Sequence, residues 1–375
     1  MKSLRVCKVG WLFGLLAIAI SGRAQYNMHP SLGIGDPAPA IKVEGWARGV
    51  PVTGFERGQV YVLDFWATWC GGCIASFPHI SAIAEKYKGR VHFCSVDSYE
   101  VDEIKKGNDP MDAVKAFLKT PQGQRLTLDV CVDGKDTAMY KNWVGRLRRN
   151  GFPTTFVIDQ EGRIAWVDVN LDNLDWVLGQ VLAGTWDIPK AAVVMRSRDH
   201  IEDLFFQAFQ MKDKKVQDDK YREILRDCDS LEQAYPDRKD AAAFYKLMAL
   251  NDLDKARVPQ QLEQMAADPQ MKYIFLDDGV GLTLRRTDLT PRDYAAIAKA
   301  QERLLSNEHN GTGHGGKTVT MYAALASSYF KAGQRDKAVS AQEKAIAIAD
   351  KQKVADKKVN KLKADLHGYQ DAAKS

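Results

Sequence analysis

The chain of 375 residues carries 53 basic against 48 acidic side chains and is 45% hydrophobic, long enough to bury a sizeable core and to hold two domains. Its formal charge of +5 is concentrated at the start, where the first 24 residues hold Lys2, Arg5, Lys8 and Arg23 and no acid. The remainder is close to neutral, which removes any electrostatic reason to expect nucleic acid or an anionic membrane surface as partner.

Residues 1–24 read as a secretory signal: a basic start, an apolar run from Val9 to Ile20, and Ser21-Gly22-Arg23-Ala24 before Gln25. That places the protein in the periplasm or outside the cell, with a membrane tether if the signal stays uncleaved. The apolar run as a helix would reach only about 18 Å, short of the roughly 30 Å of a bilayer core. Removing the segment removes Cys7 and leaves Cys70, Cys73, Cys94, Cys131 and Cys228. An odd number suits a redox protein better than a disulfide-stapled scaffold.

Residues 25–185 alternate strand and helix signals and predict an α/β domain with a largely parallel sheet. Val60 to Trp66 is a continuous strand-forming run of the kind buried on both faces. Phe77, Ile80, Ile83, Ala84 and Tyr87 follow at helical spacing, with Gly89 ending the helix. Val91 to Val96 is a second strand. A polar insertion over 99–150 contains a helix around Pro110 to Leu118 and a strand around Leu126 to Val132. Two more strands, Thr154 to Asp159 and Arg163 to Asp168, join through a turn at Gln160-Glu161-Gly162. A helix over Leu171 to Leu182 closes the domain.

Residues 186–198 read as a linker, and 199–375 as an all-α domain. Its apolar stripes are Ile201/Phe205/Phe209, Ile224/Leu225/Cys228/Leu231 and Phe244/Leu247/Leu250. Tyr322, Leu325, Ala326, Tyr329, Gly333, Ala338 and Ala345 fall at the positions of a tetratricopeptide helix hairpin. One such unit is not an array, so the domain is repeat-like and helical. The stretch from Asn307 to Gly316, with His309 and His314, reads as a glycine-rich surface loop rather than a metal site.

The chemistry concentrates in Trp69-Cys70-Gly71-Gly72-Cys73, between a buried strand and an amphipathic helix, which puts Cys70 at or next to the helix N-cap. There the unpaired amides of the first turn and the positive end of the helix dipole stabilise a thiolate, the attacking species in disulfide exchange. Cys73, one turn inside, is near enough to attack a mixed disulfide on Cys70 and release the reduced substrate. A zinc site is the weaker reading, since no second cysteine pair supplies the remaining ligands. A purely structural disulfide is weaker too, because so short a loop removes little chain entropy.

Asp64 to Cys73, with Pro78 five residues later, Gly151-Phe152-Pro153-Thr154-Thr155-Phe156 downstream and Gly35-Asp36-Pro37-Ala38-Pro39 at the opening, resembles the thioredoxin superfamily, and within it the extracytoplasmic TlpA/ResA branch. The resemblance covers residues 35–185 and says nothing of the helical region. It implies that Pro153 is a cis-proline facing the cysteines, that the backbone of Phe152 pairs with an extended substrate segment, and that Pro78 kinks the active-site helix by failing to donate to Ile74. Asp64 is the one charge inside an apolar strand, where burial raises a carboxyl's pKa. The resemblance makes it a proton relay toward Cys73; a strand-end carboxylate with a structural hydrogen bond is the alternative. Trp69 belongs with Phe152 and Pro153 as substrate-facing, and Gly71, Gly72, Pro78 and Trp66 are structural neighbours of the site, Trp66 serving equally well as plain core. His79 reads as a solvated helix residue.

The family's strongly reducing members carry Gly-Pro between the cysteines, so Gly71-Gly72 leaves the potential open. Cys94 lies in the second predicted strand and Cys131 in the strand of the insertion, open to pairing as a disulfide or to remaining two inert thiols; Cys228 sits on an apolar helix stripe. The resemblance implies a protein disulfide reductase whose redox group is the dithiol itself, without metal or added cofactor. Its partners would be disulfide-containing secreted proteins and a membrane thiol reductant. The alternative makes the helical region a protein-binding module, with its own protein partner, carrying a redox-sensing thioredoxin-like domain. A peroxidase of the related peroxiredoxin type is weaker, since Ala67 stands where those enzymes place Thr, and copper handling lacks a Met or His cluster.

Overall fold

The computed structural model describes residues 30–169, 171, 173–236, 240–309 and 318–372. The expected signal over 1–24, with Cys7, and most of the glycine-rich stretch, including His314, lie outside the described residues. The chain divides into two compact units, Met1–Met195 and Arg196–Ser375.

The first unit is built on strands β1 (Gly45–Arg48), β2 (Val60–Trp66), β3 (Val91–Asp97), β4 (Asp129–Val132), β5 (Thr154–Ile158) and β6 (Ile164–Asp168). They form one six-stranded sheet in the order β1-β4-β3-β2-β5-β6. Its helices are α1 (Gly71–Lys86), α2 (Val101–Lys105), α3 (Pro110–Leu118), α4 (Ala138–Asn142) and α5 (Leu174–Leu182).

The sheet is mixed rather than largely parallel. β2, β3 and β4 run parallel, because each step between them passes through a helical crossover. β5 enters antiparallel to β2, and β6 returns antiparallel to β5. The β5–β6 connection is too short for a crossover: the Asp159 carboxylate accepts from the amides of Glu161 (3.0 Å) and Arg163 (2.8 Å), and Gly162 takes φ +79°, where a side chain would be strained.

β2 is buried along its whole length because both faces are covered. Val60, Val62 and Trp66 pack under Phe77, Ile80 and Ile83 of α1 and Leu174, Val177 and Leu178 of α5. Leu63 and Phe65 face the opposite layer, with Phe156, Met139 and Trp143. Each large apolar side chain so buried contributes about 1.5–3 kcal/mol. The period of two along β2 puts Asp64 on the α1 side, in step with Val62 and Trp66.

Beyond α5 the expected linker over 186–198 is mostly helix. α6 (Ile188–Gln210) starts where the Asp187 carboxylate accepts from Lys190 N (2.8 Å) and continues across the division between units. Before Ile201 its apolar residues run together as Ala191-Ala192-Val193-Val194-Met195 and five polar residues follow, so no helical period reads back past Ile201. The described part of the second unit is helical, with α7 (Lys214–Ala234), α8 (Asp240–Leu253), α9 (Val258–Ala267), α10 (Tyr273–Leu284), α11 (Pro291–His309), α12 (Thr318–Lys331), α13 (Arg335–Lys351) and α14 (Asp356–Ala372). α12 and α13 form a hairpin: Gly333 at φ +77° closes the turn, and Leu325, Ala326, Tyr329 and Ala338 pack in its seam.

Candidate active site

The site is set where β2 ends and α1 begins. Cys70 is the N-cap of α1, with extended backbone (φ −84°, ψ 94°). Its amide donates to the carbonyl of Ala67 (3.0 Å), and its sulfur accepts the amide of Cys73 at 3.2 Å, the place an oxygen occupies in an ordinary cap. Cys70 and Cys73 are joined in a disulfide, S–S 2.09 Å. Both are buried, at 2% and 1% exposure. No acidic side chain lies in the first turn of α1, so none within the helix opposes the amide dipoles at the sulfur.

Gly71 has open space around its α-carbon, and a side chain at Gly72 would meet only the ring of Pro153 at an ordinary 3.9 Å. The two glycines are therefore not required by crowding. Pro78 sits on the exposed side of α1, and the Ile74 carbonyl loses its partner one turn back. His79 is exposed.

The Phe152–Pro153 peptide is cis, and Pro153 lies against the glycine turn. Trp69 is 41% exposed; its ring is 5.9 Å from that of Phe152, and its indole N–H points to the Tyr99 carbonyl (3.4 Å). Trp66 is fully buried against Phe77 (5.1 Å) and Phe117 (5.5 Å), in the same packed layer as Cys70 and Cys73.

Asp64 is buried beneath α1, opposite Thr155 in the β2–β5 pairing. The Thr155 hydroxyl donates to it at 2.7 Å. Burial outweighs that bond and pushes the carboxyl up to about 7.

Several residues of the site escaped the sequence. The buried Glu100 carboxylate accepts from both the amide (2.6 Å) and the hydroxyl (3.0 Å) of Thr68, and so holds the turn that delivers Cys70. Beside it Asp97 is pushed well above the carboxylate range, first by burial and then by the charge of Glu100. Tyr99 sits at φ 67°, a conformation costly for a bulky side chain. Its ring packs against that of Tyr140, tilted by 35° with centroids 4.5 Å apart, and Tyr140 in turn meets Phe152 at 5.9 Å. Asp133 fixes Tyr140 by accepting its amide (2.9 Å) along with that of Met139 (2.9 Å) and the Ser98 hydroxyl (2.6 Å). The result is an aromatic row, Trp69, Phe152, Tyr140 and Tyr99, beside the cysteines. Tyr99 and Glu100 follow the β3 strand directly, and that adjacency was the one available hint.

The remaining described cysteines are free and buried. Cys94 and Cys131 are neighbours with sulfurs 3.2 Å apart, and Cys228 lies in the core of α7.

A family model described as the AhpC/TSA family matches residues 34–167. Protein FixW of Rhizobium leguminosarum is 30% identical over 186 residues, covering 48% of this chain and 81% of that protein. Thioredoxin-like protein YneN of Bacillus subtilis is 25% identical over 166 residues, covering 42% of this chain and 89% of that one. Among solved structures, a thiol-disulfide isomerase from Corynebacterium glutamicum is 22% identical, covering 40% of this chain and 97% of its own, with a TM-score of 0.30.

Proposed function

Since the chain belongs to the thioredoxin-like AhpC/TSA family, we propose that it is an extracytoplasmic protein disulfide reductase working through Cys70 and Cys73. The observation that carries this reading is the Cys70 sulfur at the N-cap of α1, accepting the Cys73 amide and bonded to the Cys73 sulfur. In the reduced protein the Cys70 thiolate attacks one sulfur of a substrate disulfide. That bond breaks, a mixed disulfide forms, and the other substrate sulfur leaves as a thiol. Cys73 then gives up its proton, Asp64 being the acceptor in this reading, and attacks the Cys70 sulfur. The second substrate thiol departs, two electrons have passed to the substrate, and the protein is left with the Cys70–Cys73 disulfide.

Trp69, Phe152 and Pro153 are the substrate-facing residues in this scheme, with the Phe152 backbone pairing to an extended segment. A thiol reductant of the membrane returns the dithiol, and no further cofactor enters. The leader read in residues 1–24 supports an extracytoplasmic setting with secreted proteins as substrates. Peroxidase chemistry finds less support, since Ala67, buried, stands three residues before Cys70. The test is reduction of insulin by dithiothreitol with catalytic amounts of the protein. The Cys70→Ser variant loses the acceleration entirely; a variant as active as the parent would overturn the reading.

A further inference from the structure

Cys94 of β3 and Cys131 of β4 lie diagonally on adjacent parallel strands, Cys131 opposite Val96 and Cys94 opposite Asp129, in the layer formed with Leu63, Phe65 and Phe156. Cys70 and Cys73 belong to the layer on the other face, with Val62, Trp66 and Phe77. Nothing in the proposed reaction uses the second pair. Its sulfurs are nonetheless in contact at 3.2 Å as a thiol–thiol hydrogen bond, and closing them to the roughly 2.0 Å of a covalent bond needs the two strand positions to draw together by about 1.2 Å. Both residues are closed off, at 2% and 0% exposure. A metal thiolate centre does not explain the contact, because among the described residues no group of three or more metal-ligating side chains comes together.

We propose that Cys94 and Cys131 form a second disulfide, buried in the sheet and acquired as the chain folds in the presence of a low-molecular-weight disulfide such as oxidised glutathione. One cysteine, as thiolate, attacks a glutathione sulfur; that S–S bond breaks, a mixed disulfide forms and one glutathione leaves as thiol. The second cysteine loses its proton and attacks the protein sulfur of the mixed disulfide, releasing the other glutathione. Two protein thiols are thereby oxidised to one S–S bond, and one glutathione disulfide is reduced to two thiols that take up the two protons.

Burial dictates the order of events. The oxidant reaches these sulfurs only before β3 and β4 close, and the same burial then shields the bond from reductants. The bond would tie the segment 94–131 into a loop, and that loop carries Tyr99 and Glu100, which touch Trp69 and Thr68 at the active-site turn. The inference stands apart from the direction of the Cys70–Cys73 reaction.

The test uses the full chain with Cys70→Ser and Cys73→Ser, which removes the competing couple. The protein is refolded from a reduced, denatured state with oxidised glutathione, alkylated under denaturing conditions and digested with trypsin. Cys94 and Cys131 then fall in separate peptides, 91–105 and 126–135, each with one cysteine. The expected product is a cross-link between these two peptides that disappears on reduction, with Cys228 alkylated. The wild-type chain treated identically gives the same cross-link beside the Cys70–Cys73 bond. Soluble protein in which Cys94 and Cys131 are alkylated, separately glutathionylated, or bonded to Cys228 in both chains would overturn the proposal.

Discussion

Asp64 carries the clearest pH signature of any single residue here. Its folded value of about 7 against 3.8 for the free group means that the fold accommodates the neutral acid and resists the anion. For a group raised on folding, the stabilising contribution is present in full below the unfolded value and is lost as pH climbs through the folded one. The loss for Asp64 therefore runs from about pH 4 to pH 7 and amounts to about 4 kcal/mol at most. Asp64→Asn keeps an oxygen for the Thr155 hydroxyl and removes the titration. Groups common to both proteins cancel in the difference of thermal midpoints. The variant is thus expected to gain on the parent from about pH 4 to pH 7 and to hold that gain level above pH 7, and a difference that stays flat from pH 4 to pH 7 would contradict the assignment. The sequence allowed this much of Asp64 to be read, because a lone acid in an otherwise apolar strand is a local signal. Its partner Thr155 lies 91 residues away, a pairing that only the sheet reveals.

At the scale of elements, what holds the site is the turn between β2 and α1. Glu100 fastens that turn through its two bonds to Thr68. Glu100→Ala removes two hydrogen bonds that the half-buried Thr68 makes to a carboxylate, a loss of about 1–3 kcal/mol. Urea unfolding should show it as a lowered midpoint, while Glu100→Gln, which still offers an acceptor, recovers part of the loss. An alanine variant as stable as the parent would remove Glu100 from this role. Elements marked by local chemistry were legible from sequence. α3 has the bounds expected for it, since the Asp109 side chain caps the amide of Met111 (2.9 Å) and Pro110 opens the first turn. α2 and α4 were missed for a physical reason: α2 buries no residue and α4 only Met139, so neither leaves an apolar period to detect. The direction of β5 was equally hidden, because it depends on a partner strand that precedes it by almost ninety residues.

For the whole molecule, every residue of the candidate site belongs to the first unit, Met1–Met195, and the family match stops at residue 167. The helical unit is thus the part whose role the cysteines do not explain. The central claim remains that Cys70 attacks and Cys73 resolves, a claim about order that steady activity alone does not test. The direct measurement is mass spectrometry of the reduced, full-length Cys73→Ser variant after mixing with a disulfide-containing protein such as insulin. Attack without resolution should leave a reducible adduct on Cys70 that accumulates, while the parent chain releases free thiols and holds none. An adduct on another cysteine, or its absence in a folded variant, would contradict the order of attack set out above.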